Sequence, residues 1–162
     1  MEEGSERGDA SVSPVEVDDI MARWARREAQ EAQLLPVNKT NIFAILAAAG
    51  MAMVLIRFDG SGDSGQIEEM EARDAQGISL PITDTPVNML VLPWGEHIPK
   101  SETVPLGQAL ENITYHLLGS AHPGWENGDG AFGEFTFDVA AGTIRLDHYD
   151  RYTATEEFTH HF

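Results

Sequence analysis

Two loops rich in glycine and aspartate hold the side chains of this sequence whose types and spacing could do chemistry. In the first loop, Asp59, Ser61 and Asp63 recur at every second residue, and several glutamates follow. Oxygen ligands at such spacing are typical of calcium sites. The loop departs from the EF-hand motif, because glycine falls at its seventh position and Met70 at its twelfth, where that motif has a bidentate glutamate. We therefore predict a hairpin turn here, and keep a metal-binding domain or metal-dependent enzyme that uses Asp59 and Asp63 as the alternative.

The second loop runs from Trp125 to Gly130 and combines a tryptophan with two acids, Glu126 and Asp129. Such a tryptophan can anchor a partner interface or stack on a ligand, and it can equally close the open end of a core. Both loops lack the spacing of phosphate-binding motifs, and their acids would repel a phosphate group. We therefore expect the loops to attract cations or basic proteins.

The remaining candidates for catalysis are less specific. Histidines and aspartates near the C-terminus, such as His148 and Asp150, could form a zinc site or a general acid–base site. The strand pattern places His148 on the same side as Leu146, which predicts a buried or half-buried structural histidine. No serine stands in a nucleophile-elbow motif, and the sequence has no cysteine. We predict a non-enzymatic protein with no catalytic residue, no metal site and no cofactor.

Acidic residues are concentrated after residue 58. From Asp59 onward 18 acids face only 4 bases, whereas residues 1–58 hold 9 acids and 6 bases, and the whole chain has a formal net charge of -17. Such a surface repels nucleic acid and attracts cations or basic protein faces. The candidate partner-binding residues lie in or near the two loops: Asp59, Asp63, Glu68, Glu69, Glu71, Trp125, Glu126 and Asp129.

The length and composition of the chain fit one domain of ordinary size. With 162 residues, of which 42% are hydrophobic, it can bury a substantial core. Residues 1–12 are polar and are predicted to be disordered, and residues 13–162 are predicted to form a single α+β domain. The apolar run from Ile42 to Ile56 has 15 residues, fewer than the roughly 20 of a membrane-spanning helix. Without cysteine or a secretory signal, the sequence is compatible with the cytoplasm.

Two helices are predicted before the first strand. Ser13 and Glu16 have the spacing of a capping box, and Pro36 is expected to end the helix that begins there. A second helix, capped by Asn38 or Thr40, then follows. Trp24 in the first helix is expected to anchor the core, while the sequence leaves open whether residues 1–50 fold onto the sheet or reach another chain. Trp24 belongs to an apolar stripe with arginines beside it: Val17, Ile20, Met21 and Trp24, with Arg23, Arg26 and Arg27.

An antiparallel sheet of about four to five strands is predicted after these helices. Residues 51–58 and 67–73 have the composition of two strands joined by the first loop as a hairpin. A proline-rich segment follows, in which only one short strand is expected, at 88–92. Apolar residues at helical spacing then predict a helix at about 105–118, packed on one face of the sheet.

The last hairpin has the clearest alternation in the chain. Residues 134–139 and 143–148 alternate apolar and polar side chains. A two-residue turn at Ala141-Gly142 would pair them so that apolar residues meet one another and an acid meets a base. The predicted pairs are Val139 with Ile144, Phe137 with Leu146, and Asp138 with Arg145.

Two strings of the sequence resemble a family of proteins: Phe58-Asp-Gly-Ser-Gly-Asp-Ser-Gly-Gln-Ile-Glu68 and His122-Pro-Gly-Trp-Glu-Asn-Gly-Asp-Gly-Ala-Phe-Gly-Glu-Phe-Thr-Phe-Asp138. The family consists of uncharacterised small acidic proteins on proteobacterial plasmids, phages and other mobile elements. The likeness spans about residues 51–162, and no functional residue comes with it. The resemblance implies a genomic setting in which proteins that counter host defence are frequent.

Together these observations predict an acidic binding protein without enzymatic activity. Its partner would be a basic, nucleic-acid-binding host protein or complex, such as a CRISPR or restriction component, rather than nucleic acid itself or a membrane. Exposed carboxylates would take the place of phosphates opposite lysine and arginine side chains of that partner. The protein would then act as an inhibitor that mimics nucleic acid.

Overall fold

The computed structural model describes residues 13–162, so the predicted disorder of residues 1–12 falls on residues that lie outside the described ones. The predicted α+β fold is confirmed, with a five-stranded antiparallel sheet, a separate two-stranded sheet and helices. The elements in chain order are α1 Pro14–Ala48, β1 Met53–Ser61, β2 Ser64–Arg73, β3 Ser79–Leu80, β4 Pro86–Val91, β5 Lys100–Pro105, α2 Leu106–Ala121, β6 Ala131–Asp138 and β7 Thr143–Asp150. The strand order is β3-β2-β1-β6-β7 in the large sheet and β4-β5 in the small one.

The core lies between one face of the large sheet and the helices. Along β1, Val54, Ile56 and Phe58 are buried and alternate with less buried residues, as expected of a strand with one covered face. The predicted apolar stripe of α2 belongs to the same core cluster. The helix predicted at about 105–118 is thus confirmed, and it continues to Ala121.

The N-terminal helix is continuous, whereas the sequence predicts two helices separated at Pro36. The predicted start is confirmed, since Ser13 and Glu16 form the capping box. Pro36 lies inside α1 and does not end it. The reason is tertiary: Asn38, predicted as a cap, bonds instead to the carbonyl oxygen and the N–H of Leu90 on β4, at 2.9 and 2.7 Å. This packing keeps the helix continuous although proline offers no N–H to the preceding turn.

The apolar stripe in the first half of α1 is exposed, so the prediction that Trp24 anchors the core is wrong. The exposed fraction is 65% for Met21 and 63% for Trp24. Only the second half of α1 reaches the core, where Ile42 and Leu46 are fully buried. A continuous helix of 35 residues is about 50 Å long, so its first half extends past the core. Within residues 13–162, neither helix is apolar enough over sufficient length to cross a membrane.

The predicted hairpin of β1 and β2 is confirmed, and its turn has two residues. Gly62 and Asp63 both have positive φ, 57° and 67°. Positive φ at both central residues is typical of a type I′ turn, whose twist suits a hairpin. A register shift between Arg57 and Phe58 makes a β-bulge, in which Glu68 is the extra residue of β2.

The hairpin of β6 and β7 forms in a different register from the predicted one. Its apolar pairs are Phe137 with Ile144 and Phe135 with Leu146. The turn is longer than predicted, because Val139 leaves the pair and donates its N–H to the carbonyl oxygen of Ala52, at 3.0 Å. The slip is two residues, so every side chain keeps its predicted face. The predicted pair of Asp138 with Arg145 is wrong, since Arg145 binds Asp147 at 3.1 Å.

The proline-rich segment contains more structure than the sequence predicts. The expected strand is present as β4, and β5 pairs with it in antiparallel fashion. Pro86 and Pro105 stand opposite one another at the end of this ladder. Proline lacks a donor for the ladder and is tolerated at such ends, so its presence did not exclude a second strand.

Replacing Pro36 by alanine tests the continuous helix. Pro36→Ala restores an N–H inside α1, and we expect the free energy of unfolding to rise by about 1–3 kcal/mol. The matched control is Pro14→Ala in the first turn, where the N–H has no acceptor within the helix, and it should change stability by less than about 0.5 kcal/mol. Urea unfolding followed by circular dichroism measures both values. Equal effects of the two substitutions would contradict a helix that continues through residue 36.

Candidate binding site at the paired loops

The two Gly/Asp loops, which lie far apart in the sequence, contact one another at one end of the large sheet. The N–H of Gly62 donates to the carbonyl oxygen of Gly128 at 3.0 Å, and that of Asp63 donates to the carbonyl oxygen of Glu126 at 3.1 Å. We call residues 60–65, at the tip of the β1–β2 hairpin, and residues 122–130 together the paired loops. Backbone groups make both of these bonds, so neither bond requires a charged side chain.

Trp125 fills the space above two glycines that face each other in the β1–β2 hairpin. Gly60 and Gly65 are partners in that ladder, and a Cβ atom at Gly60 would lie 2.5 Å from Cζ3 of Trp125. The tryptophan ring also stands edge-on to Phe58, with 5.5 Å between ring centroids. Trp125 is half-buried and packs against the core cluster. Of its two predicted roles, the structure therefore supports closing the end of the core.

Three of the predicted acids come together on the paired loops without a basic partner. Among residues 13–162, Asp63, Glu126 and Asp129 have no lysine, arginine or histidine nitrogen within 4 Å. Asp63 and Asp129 are exposed and Glu126 is half-buried. Asp129 accepts a hydrogen bond from the hydroxyl group of Thr153 at 2.8 Å. Their negative charge thus remains available to a partner.

Three other predicted acids are each held by an arginine, a pairing that the sequence does not predict. Arg151 donates to both carboxylate oxygens of Asp59 at 2.9 Å. The remaining pairs are Glu69 with Arg57 and Glu71 with Arg73. Arg57 binds a second acid, Glu134, at 2.8 Å. These acids are therefore largely neutralised and are weaker candidates for partner binding than those on the paired loops.

The arginine contacts change the acidity of the groups they join. The hydrogen bonds from Arg151 hold the pKa of Asp59 below its usual value, although partial desolvation acts in the opposite direction. Arg73 likewise holds the pKa of Glu71 below its usual value, mainly through its hydrogen bonds. The pKa of Arg57 is raised by Glu134 and Glu69. These groups stay charged over the whole neutral pH range.

Glu68, the last of the predicted acids, stands at the β-bulge of β2. It is exposed, and Gln66 donates its side-chain N–H to it at 3.3 Å. A β-bulge often re-aims a side chain at the edge of a functional site. Glu68 is therefore separate both from the arginine pairs and from the acids of the paired loops.

A stacked pair of histidines lies beneath the second loop. The rings of His122 and His148 are parallel, with 3.5 Å between their centroids, and His148 also stacks on Phe58 at 5.7 Å. The side chain of His148 is only 5% exposed, so its predicted place on the core side is confirmed. Its Nε2 atom lies 2.8 Å from a carboxylate oxygen of Asp150. The sequence carried no sign of the stacking partner, since His122 lies outside any strand.

The C-terminal segment begins at the same place. The N–H of Arg151 donates to the carbonyl oxygen of Gly130 at 2.9 Å, and a polar cleft of about 440 Å³ lies between the second loop and residues 150–152. From residue 151 onward the chain is exposed and lacks regular secondary structure. It carries two more acids, Glu156 and Glu157, which the sequence analysis did not include among the candidates.

The described residues give no support to the alternative metal site. Within residues 13–162, no three histidine, aspartate or glutamate side chains are grouped as metal ligands. Both carboxylate oxygens of Asp59 are occupied by Arg151. A cation at the first loop would have to displace that arginine and recruit further oxygen ligands.

Comparison with known proteins places this chain in a family. A family profile described as "Family of unknown function (DUF6878)" matches residues 34–162. The chain belongs to the DUF6878 family. The matched part contains the sheets, α2 and the paired loops, while the first twenty residues of α1 lie outside it. No curated protein and no solved structure matches the chain.

The contact of Trp125 with the glycine pair predicts a loss of stability when a methyl group is added. In Gly65→Ala the new Cβ atom would overlap the tryptophan ring, and we expect the free energy of unfolding to fall by about 1–3 kcal/mol. The matched control is Gly119→Ala in α2, where a Cβ atom meets nothing within 4 Å. That substitution should raise stability by up to about 1 kcal/mol. A Gly65→Ala protein as stable as the Gly119→Ala protein in urea unfolding would show that Trp125 does not pack on the glycines.

The pair of Asp59 with Arg151 predicts a pH-dependent contribution to stability. At pH 7, Asp59→Asn should lower the free energy of unfolding by at most about 1 kcal/mol, because the pair is nearly half exposed. Since the folded-state pKa of Asp59 lies below its usual 3.8, the contribution is complete above that pH and disappears as the pH falls below it. The two proteins should therefore converge in urea unfolding between about pH 5 and pH 2.

The control for this experiment is Asp63→Asn. Asp63 has no arginine partner among the described residues, and asparagine accepts its positive φ at least as readily. We expect no loss of stability at pH 7. If Asp59→Asn and wild type differ by the same amount at every pH, the arginine pair is not the cause of the difference.

Proposed function

We propose that this protein is a non-enzymatic, acidic binding protein, and that the acids of the paired loops hold a basic surface of another protein. The observation that carries the proposal is the separation of the acids into two groups. Asp59, Glu69 and Glu71 are each held by an arginine of the same chain. Asp63, Glu126 and Asp129 have no basic group within 4 Å among the described residues, and they share one end of the molecule.

The way in which the paired loops are built favours binding by preformed geometry. Asp63 belongs to a two-residue turn, and its own N–H is bonded to the second loop. Trp125 holds that loop against the sheet. A surface that is already ordered loses little conformational entropy on binding, so more of the interaction energy remains as affinity. Charge complementarity would add a fast association rate and would weaken as salt rises.

A more specific form of the proposal is mimicry of nucleic acid. Carboxylates of the paired loops would occupy the lysine and arginine contacts that normally hold phosphates in a nucleic-acid-binding groove. The net charge of -17 supports a partner of this kind and disfavours direct binding to nucleic acid. The resemblance to proteins of mobile elements favours a host defence protein, of the CRISPR or restriction type, as the partner. In this form the protein is an inhibitor.

A pull-down from a proteobacterial lysate with two matched variants tests the proposal. In the first variant, Asp63→Asn, Glu126→Gln and Asp129→Asn are combined. In the control variant, the same number of acids outside the paired loops is neutralised: Asp84→Asn, Glu102→Gln and Glu111→Gln. Both variants change the net charge equally, so long-range attraction is reduced by the same amount in each. Capture is measured from about 0.05 to 0.5 M salt, with and without competing duplex DNA.

We expect wild type and the control variant to retain the same basic, nucleic-acid-binding protein. Duplex DNA and high salt should release it, and the loop variant should retain at least about tenfold less of it. Captured proteins that are neither basic nor nucleic-acid-binding would contradict the mimicry. Equal capture by the loop variant and the control would show that the paired loops are not the binding surface.

A further inference from the structure

The first half of α1 presents an apolar stripe that nothing in the described chain covers. Val17, Ile20, Met21 and Trp24 are spaced as one face of a helix, and their exposed fractions lie between 45% and 65%. Up to Arg23, the side-chain hydrogen bonds and ion pairs found in residues 13–162 stay within α1 itself. A short helix without tertiary contacts is only marginally stable in water, so this segment is expected to gain stability from a partner.

The exposed apolar surface continues from the helix onto the loop after β4. Trp94 and Ile98 in that loop are 80% and 75% exposed. Trp24 meets the ring of Trp94 edge-on, with 6.4 Å between centroids. Arg27 fixes the loop, because its guanidinium group lies over Trp94 and donates to the carbonyl oxygen of Leu92 at 2.7 Å. The stripe therefore ends on a broad aromatic platform, and such contiguous exposed apolar surfaces mark interaction sites.

An acid lies beside the N-terminal end of the stripe, and a base lies beside its C-terminal end. Glu16 precedes the stripe's centre and Arg23 follows it, and a spacing of seven residues puts both on the same side of the helix. Within the chain, Glu16 closes the capping box with Ser13, and Arg23 pairs with Asp19 at 2.8 Å. Both side chains are exposed, and exposed contacts of this kind contribute little stability, so either charge can also bind a partner.

A second copy of α1 running in the opposite direction would therefore bring each Glu16 opposite an Arg23 of the other copy. Val17 of each copy would also lie against Trp24 and Trp94 of the other copy. The four apolar residues of the stripe would pack against the same stripe of the other copy, running in the opposite direction.

The net charge of the rest of the chain also favours an antiparallel pair of helices. From Asp59 onward 18 acids face 4 bases, so two such bodies repel one another. A parallel pair of α1 helices would place the two bodies side by side, whereas an antiparallel pair holds them at opposite ends. An antiparallel pair is also a closed two-fold arrangement, in which the same surface of each copy is used once.

We propose that the first half of α1, together with the Trp94 platform, is a self-association surface that joins two copies of this chain through an antiparallel helix pair. The helical part of this surface lies outside the segment shared with the DUF6878 family, which begins at residue 34, whereas the Trp94 platform lies within that segment. The surface is distinct from the paired loops, so this proposal does not depend on the proposed function. Because the area is small, dissociation at about micromolar concentrations is expected.

Sedimentation of the full-length protein over a range of concentrations tests the proposal. Wild type should pass from monomer to dimer, and Met21→Glu, which puts an acid into the stripe, should weaken the dimer by at least about thirtyfold. The matched control is Ala22→Glu, which adds the same charge on the opposite side of the helix and should leave the dimer within about threefold of wild type. A wild-type protein that stays monomeric at every concentration overturns the proposal.

Exchange of the two flanking charges tests the direction of the helices. Arg23→Glu alone and Glu16→Lys alone should each weaken the dimer about fivefold, because each places like charges opposite one another. The double variant with both substitutions restores opposite charges only in an antiparallel pair, so it should regain the wild-type dissociation constant within about twofold. Because Glu16→Lys also opens the capping box, Ser13→Ala, which opens it without a change of charge, is the control, and the dissociation constants of the variants that carry Glu16→Lys are corrected for its effect. Circular dichroism confirms that α1 is retained in each variant. If the double variant raises the dissociation constant by the product of the two single fold-changes, the antiparallel arrangement is overturned.

Discussion

The close approach of Trp125 to a pair of glycines is the contact on which the arrangement of the paired loops depends. Gly60 and Gly65 face one another in the first hairpin, and any side chain there would occupy the place of the indole ring. Trp125 brings the second loop down onto the hairpin, and backbone bonds between the loops follow. The same ring covers Phe58 at the end of the core. One packing contact therefore both closes the core and positions the acids.

The acidic residues of the candidate site fall into two groups, those paired with an arginine and those without a basic partner among the described residues. Arginines on the large sheet and at the start of the C-terminal segment take up Asp59, Glu69 and Glu71, and the pKa shifts of Asp59 and Glu71 reflect those pairs. The carboxylates of Asp63, Glu126 and Asp129 have no basic group within 4 Å among the described residues. The acids that form ion pairs within the chain are thus different from those that we propose to bind a partner. The carboxylates that pair with arginines on the large sheet are neutralised, so the chain can be strongly acidic without strong repulsion among those carboxylates.

The candidate site could be located from the sequence but not resolved into its parts. Glycine and aspartate in both loops indicated turns beside buried strands, and the Gly62-Asp63 turn has the positive φ values that these residues accept. The arginine pairs could not be foreseen, because Arg57 and Glu69 meet only through a bulged ladder and Arg151 is 92 residues from Asp59. Likewise, nothing in the sequence near Trp125 specifies the glycines on which it packs.

The sequence by itself determined the elements whose signals are local. The capping box at Ser13, the alternation of the strands and the apolar stripe of α2 depend on neighbouring residues, and all three are present in the structure. Only the tertiary structure decided that α1 continues through Pro36, because the bonds from Asn38 to β4 outweigh a local breaking signal. It also decided the register of the last hairpin, where Val139 prefers an acceptor on the segment before β1. In each case a contact between residues far apart in sequence outweighed a preference that neighbouring residues alone would have satisfied.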